Sequence, residues 1–78
     1  MTQKLYDLLA EVFSIPSNEI SDNSSPETIE NWDSFNGLVV VDKLESEYNI
    51  KFTMDEIEDV SNVSDIKRHL KNHGVKFE

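Results

Sequence analysis

Near the start of the chain, Leu5, Leu8, Leu9, Val12 and Phe13 fall at spacings of 3, 4, 7 and 8 from the first. Such a stripe covers one side of an α-helix and would be split between the two faces of a strand. The helical period returns at Leu38, Val40, Val41, Leu44 and Tyr48, and again at Val63, Ile66 and Leu70. Each stripe is apolar on one side only, so each needs the others to cover it. The chain has 78 residues, and the resulting expectation is an all-α fold with a single domain over residues 1–78. It is a small four-helix bundle, with three longer helices, one short helix and a long loop between the first and second.

Punctuation residues set the boundaries. Thr2 is a candidate N-cap for the first helix, and Pro16 marks a chain that has left it. Residues 14–33 are rich in Ser, Asn, Asp and Pro, a loop long for so small a domain. Ile15, Ile20, Ile29 and Trp32 recur in it and predict that it is tacked down over the core. The second helix is expected over residues 34–48, with Asp33 as its N-cap. On a helical wheel its broad apolar face holds Leu38, Val40, Val41, Leu44 and Tyr48, while Phe35 and Val39 point away beside Asp42 and Ser46. Ile50 and Phe52 alternate in an extended link. Thr53 and Glu56 have the spacing of a capping box for a short third helix reaching about Val60. Asn62 caps a fourth helix that stops near Gly74.

Charge removes several classes of function. Seven basic side chains stand against 16 acidic ones, a net of −9. A nucleic-acid binder needs a basic face, and an anionic membrane surface would repel this chain. Residues 1–33 carry one basic and seven acidic side chains, residues 34–59 two and seven, and residues 60–78 four and two. The negative surface therefore belongs to the loop and to the second and third helices, and partners with basic patches are expected. Cysteine is absent, so the chain has no disulfide and no thiolate nucleophile of its own. The N-terminal residues lack the pattern of a secretory signal and no apolar run is long enough for a bilayer, so the expected location is cytoplasmic.

The chemistry concentrates at Asp33-Ser34. A serine in the first turn of a helix holds its hydroxyl beside unpaired amides and the positive end of the dipole, where a phosphate ester is stabilised. As a nucleophile it needs a base, and both histidines, His69 and His73, are far along the chain. Ser34 thus reads as an attachment point rather than a catalytic residue, and no catalytic residue is assigned. The other reading is a capping-turn serine in an acidic helical interaction module, an adaptor or inhibitor with no prosthetic group.

Residues 33–50, DSFNGLVVVDKLESEYNI, resemble the phosphopantetheine attachment motif of acyl carrier proteins and related thiolation domains, whose usual form is close to D-S-L-x-x-(V/I)-E-(L/M)-(V/M)-x-x-L-E-E-x-F-x-I. The resemblance extends to the leucine-rich first helix, the long loop and the acidic stretch DEIEDVSNVSDI. It implies a freestanding, monomeric carrier without catalytic activity. A phosphopantetheinyl transferase would move 4′-phosphopantetheine from coenzyme A onto Ser34, and the arm's thiol would carry acyl or aminoacyl groups as thioesters between biosynthetic enzymes. Asp33 would contact the transferase and its metal. Phe35, Val39, Asp42, Glu45, Glu47, Asp55, Glu56 and Asp59 would form the recognition face for loading and downstream enzymes.

The chain departs from the pattern in four places. Phe35 stands where leucine is usual, Trp32 where glycine is common before the Asp-Ser pair, Val39 where an acidic residue is common, and Tyr48 where phenylalanine is usual. Three of these make the surface near the serine more apolar and less acidic, closer to carriers of specialised pathways than to those of ordinary fatty acid synthesis. Trp32 reads as a loop residue packed on the core or as a guard of the arm's way in. His69 and His73, four apart without an evident third ligand, read as a solvated pair and not a metal site. Ser64 to Lys67 match S-x-x-K and Asn23 and Asn62 begin glycosylation-like triplets, both read as chance.

Overall fold

The structure, a computed structural model, describes residues 2–75. It is all-helical among those residues: α1 (Thr2–Phe13), α2 (Ser34–Tyr48), α3 (Met54–Asp59) and α4 (Val63–Asn72), with a single 3-10 turn at Ser17–Glu19 inside the first loop. The small helical bundle expected from the periodicity is what forms. One expected cap is displaced: α1 begins at Thr2 itself, which is therefore helical rather than the residue before the helix.

The core is built from the predicted stripes. Leu5, Leu9 and Phe13 of α1 meet Val63, Ile66 and Leu70 of α4, and Val40 and Leu44 close the space from α2. Burial of side chains this size stabilises by about 1.5–3 kcal/mol each before entropy is counted. The long loop lies over this core because it supplies side chains to it: Ile20, Ile29 and Trp32 are buried and Ile15 packs beside them. Its backbone is tied at both sides. Asn31 Nδ2 donates to the Phe13 carbonyl at 2.7 Å, and the Val63 and Ser64 amides donate to the carbonyls of Ser24 and Asp22 at 3.0 Å. A salt bridge from Lys67 to Asp22 at 2.6 Å, with the Tyr6 hydroxyl also donating to Asp22, joins α4, loop and α1. These two partners hold the Asp22 carboxyl below its ordinary range.

The helix ends follow the sequence signals. Asn49, left-handed at φ 56°, ends α2 with its amide on the Glu45 carbonyl. The Thr53–Glu56 capping box is complete: Thr53 Oγ1 accepts from the Glu56 amide at 3.2 Å and Glu56 Oε1 accepts from the Thr53 amide at 2.8 Å. Asn62 Oδ1 accepts from the Asp65 amide at 2.9 Å to start α4, and Gly74 at φ 90° follows its end.

Candidate functional site: the mouth of α2

Two backbone events place Ser34 where it is. Asp33, extended at φ −110° and ψ −174°, turns its Oδ1 back to accept from the Asn36 amide at 2.8 Å. The Gly37 amide then donates to the Asp33 carbonyl at 2.8 Å, the first regular bond of the helix. Ser34 is the first residue inside α2, and its side chain is exposed. Asn36 Nδ2 donates to the Asn31 carbonyl at 2.7 Å, so the loop reaches the helix with little freedom. An exposed hydroxyl at a capped helix start is accessible from solvent.

Beside this hydroxyl lies a cavity of about 530 Å³, in the size range of small-molecule sites. Ser34, Gly37, Leu38 and Val41 line it from α2, Ile57 from α3, Val60 from just beyond the end of α3, and Trp32 from the loop. These four α2 positions are spaced i, i+3, i+4 and i+7, one face of the helix, and Val40 and Leu44 of α2 line the cavity as well. Asp33 and Ser34 sit at the polar end; the walls are apolar. The face carries a correction to the helical wheel: Leu38 is 58 % exposed instead of buried, because it covers the cavity side and not the main core. Phe35 is 74 % exposed, as expected of a residue pointing away, while Val39 is half-buried. Met54, 67 % exposed, opens α3.

The expected acidic face is partly occupied by intramolecular partners. Glu45 Oε2 accepts from the Phe52 amide at 2.8 Å, and Glu47 pairs with Lys4 at 2.5 Å. Glu56 accepts from the backbone of Thr53 and from His73 Nε2 at 2.9 Å; those hydrogen bonds, in that order, lower its pKa. Asp59 pairs with Arg68 at 2.7 Å and with His69 Nε2 at 3.0 Å, which likewise lowers it. Asp42 and Asp55 are exposed, without an ion pair among the described residues. The histidines correct the expectation of a solvated pair: His69 is buried and His73 half-buried, because α3 lies across α4 and presents its carboxylates to them. Among the described residues no group of three or more His, Asp or Glu side chains is arranged to hold a metal ion, and no helix is long and apolar enough to cross a membrane.

A family model for the phosphopantetheine attachment site matches residues 3–70, nearly the whole chain. The chain belongs to that family. A search of curated proteins returned no match. Members of this family are carriers, not catalysts, and hold 4′-phosphopantetheine covalently, and carrier domains as a class work with phosphopantetheinyl transferases and biosynthetic enzymes. The site fits such a group on its own terms, with an accessible hydroxyl at a helix start and an adjoining apolar cavity. Sequence reasoning pointed to Ser34 and Asp33 but missed Gly37, Leu38, Ile57 and Val60 as walls of this carrier's cavity. Counting i+3, i+4 and i+7 forward from Ser34 would have found the α2 wall.

Proposed function

We propose that Ser34 Oγ is the atom that bears the arm, and that this carrier shuttles apolar acyl groups. What carries the reading is the position of an exposed hydroxyl, first in a capped helix, at the polar end of an apolar cavity. When bound, the arm supplies a thiol on which cargo travels as a thioester, chemistry that a chain without cysteine lacks. In loading, the Ser34 hydroxyl gives its proton to a base on the transferase. Its oxygen forms a bond to the phosphorus of coenzyme A that carries the pantetheine, and adenosine 3′,5′-bisphosphate leaves. The helix start favours the anionic ester that results. Asp33 fixes this start by capping it, and the same carboxylate is open to solvent for a transferase to contact.

The apolar walls favour an aliphatic cargo over an aminoacyl one, since a buried ammonium would find no partner among Leu38, Val41, Ile57 and Val60. Phe35, Leu38 and Met54 form the exposed apolar part of the docking face, flanked by Asp42 and Asp55. The test has two parts. Incubation with coenzyme A and a broad-specificity transferase adds one phosphopantetheine mass to the protein and none to Ser34→Ala, with unchanged circular dichroism. Loading a saturated acyl chain then shifts the methyl resonances of Leu38, Val41 and Ile57, whereas an aminoacyl load leaves them in place. Equal loading of Ser34→Ala defeats the attachment site, and unmoved methyls defeat the cargo class.

A further inference from the structure

One side chain on the cavity wall carries a polar group that the fold does not use. Trp32 is 7 % exposed, and its ring stacks on Phe13 with centroids 5.1 Å apart and planes at 28°. A buried indole N–H normally finds an acceptor. Among the described residues Trp32 Nε1 donates to none, and it is not among the sealed side-chain atoms left without a partner, which are Tyr48 Oη and His69 Nδ1, so it keeps some access to solvent. Its open side is the cavity that Trp32 lines together with Ser34, Gly37 and Leu38.

Gly37 is what leaves this N–H uncovered. A Cβ at that position would lie 3.7 Å from Trp32 Nε1 and 4.0 Å from Cδ1, in ordinary contact with the edge of the ring that carries the donor. Gly37 is also three residues after Ser34, on the same face of α2 and about 5 Å further along the axis. The hydroxyl, the bare backbone and the indole N–H therefore follow one another from the mouth of the cavity inward.

We infer that the indole N–H of Trp32 is the donor that holds the prosthetic arm at the mouth of the cavity, by taking the carbonyl oxygen of the arm's amide nearest the phosphate. The inference rests on the reading of Ser34 as the attachment point. The acceptor is neutral because a phosphodiester oxygen stays at the solvated helix start, where a charge costs least. It belongs to the arm rather than to the cargo because the donor lies about one helical turn from Ser34, while the cargo is tied to the far end of the tether. Trp32 is thus a positioning residue that turns the arm toward the apolar walls.

Trp32 is the sole tryptophan, so its indole gives a single cross-peak in a nitrogen–proton correlation spectrum. The apo protein is converted with coenzyme A and a transferase, and intact mass confirms the arm before the spectrum is read. The expected result is a downfield move of the indole proton on going from apo to holo. Its exchange with deuterium slows by about tenfold, the factor that a hydrogen bond of about 1.4 kcal/mol gives. Gly37→Ala accepts the arm, but its indole exchanges as in the apo protein. In Trp32→Phe, which keeps a ring against Phe13, the two methyl groups of the arm near that amide return toward their shifts in free pantetheine. A mass gain with an unmoved indole overturns this inference alone. An indole that moves only after acylation overturns the assignment to the arm. Absence of any mass gain overturns the Ser34 reading and this inference with it.

Discussion

The side of the molecule formed by α1, α4 and the long loop differs in kind from the side formed by α2 and α3. On the first, Leu5, Leu9, Phe13, Val63, Ile66 and Leu70 are all but sealed, and buried loop residues cover them. On the second, α3 has no buried residue, and Phe35, Leu38 and Met54 face solvent or the cavity. α3 is instead held by polar ties: its capping box, Glu56 to His73 and Asp59 to His69 and Arg68. Apolar burial holds one side together. The other keeps apolar surface uncommitted, which a carrier needs for cargo and for partners it must soon leave.

The comparison breaks most visibly under core truncation. Leu9→Ala should cost about 3 kcal/mol in chemical denaturation, a large part of the stability of a domain this size. Ile57→Ala, on the wall of an existing cavity, should cost less than half as much. Equal losses would mean that the two sides are packed alike. Gly37→Ala should act in the opposite sense and stabilise the apo protein by about 0.5–1 kcal/mol. Its helical backbone suits alanine, and the added methyl meets nothing closer than 3.7 Å.

Acidification tests the polar ties of α3. Glu56 and Asp59 have folded-state pKa values below their ordinary 4.5 and 3.8. A lowered carboxylate adds stability that is present above the unfolded value and lost as pH falls through the folded one. Glu56→Gln should therefore melt below the wild type at pH 7, and the gap should close as the pH falls from about 5 through the region below 4. A gap that persists at pH 2 would deny the carboxylate its part. The smallest effect belongs to Phe35→Ser, which should change stability by less than about 0.5 kcal/mol while weakening association with loading enzymes. Raising salt should slow that association only modestly, because Glu45, Glu47, Glu56 and Asp59 already have partners within the chain.

Local chemistry was the legible part of the sequence. Asp33, Thr53 and Asn62 cap the helices that their spacing predicted, and Ile20, Ile29 and Trp32 are buried with Ile15 packed beside them, as their recurrence implied. What escaped prediction depends on which helix lies across which. A helical wheel gives a stripe but not what it faces, so Leu38 was placed in the core although it faces the cavity. The paired positions of His69 and His73 do not reveal that α3 would bring carboxylates to them. Counting acidic residues likewise cannot tell an exposed Asp42 from a Glu45 bound to the Phe52 amide.

The most direct test of the account is to locate the arm within the chain. Fragmentation of the phosphopantetheinylated protein in a mass spectrometer should place the whole added mass on Ser34. Finding it on another serine, such as Ser46 or Ser61, or divided between several, would contradict the account.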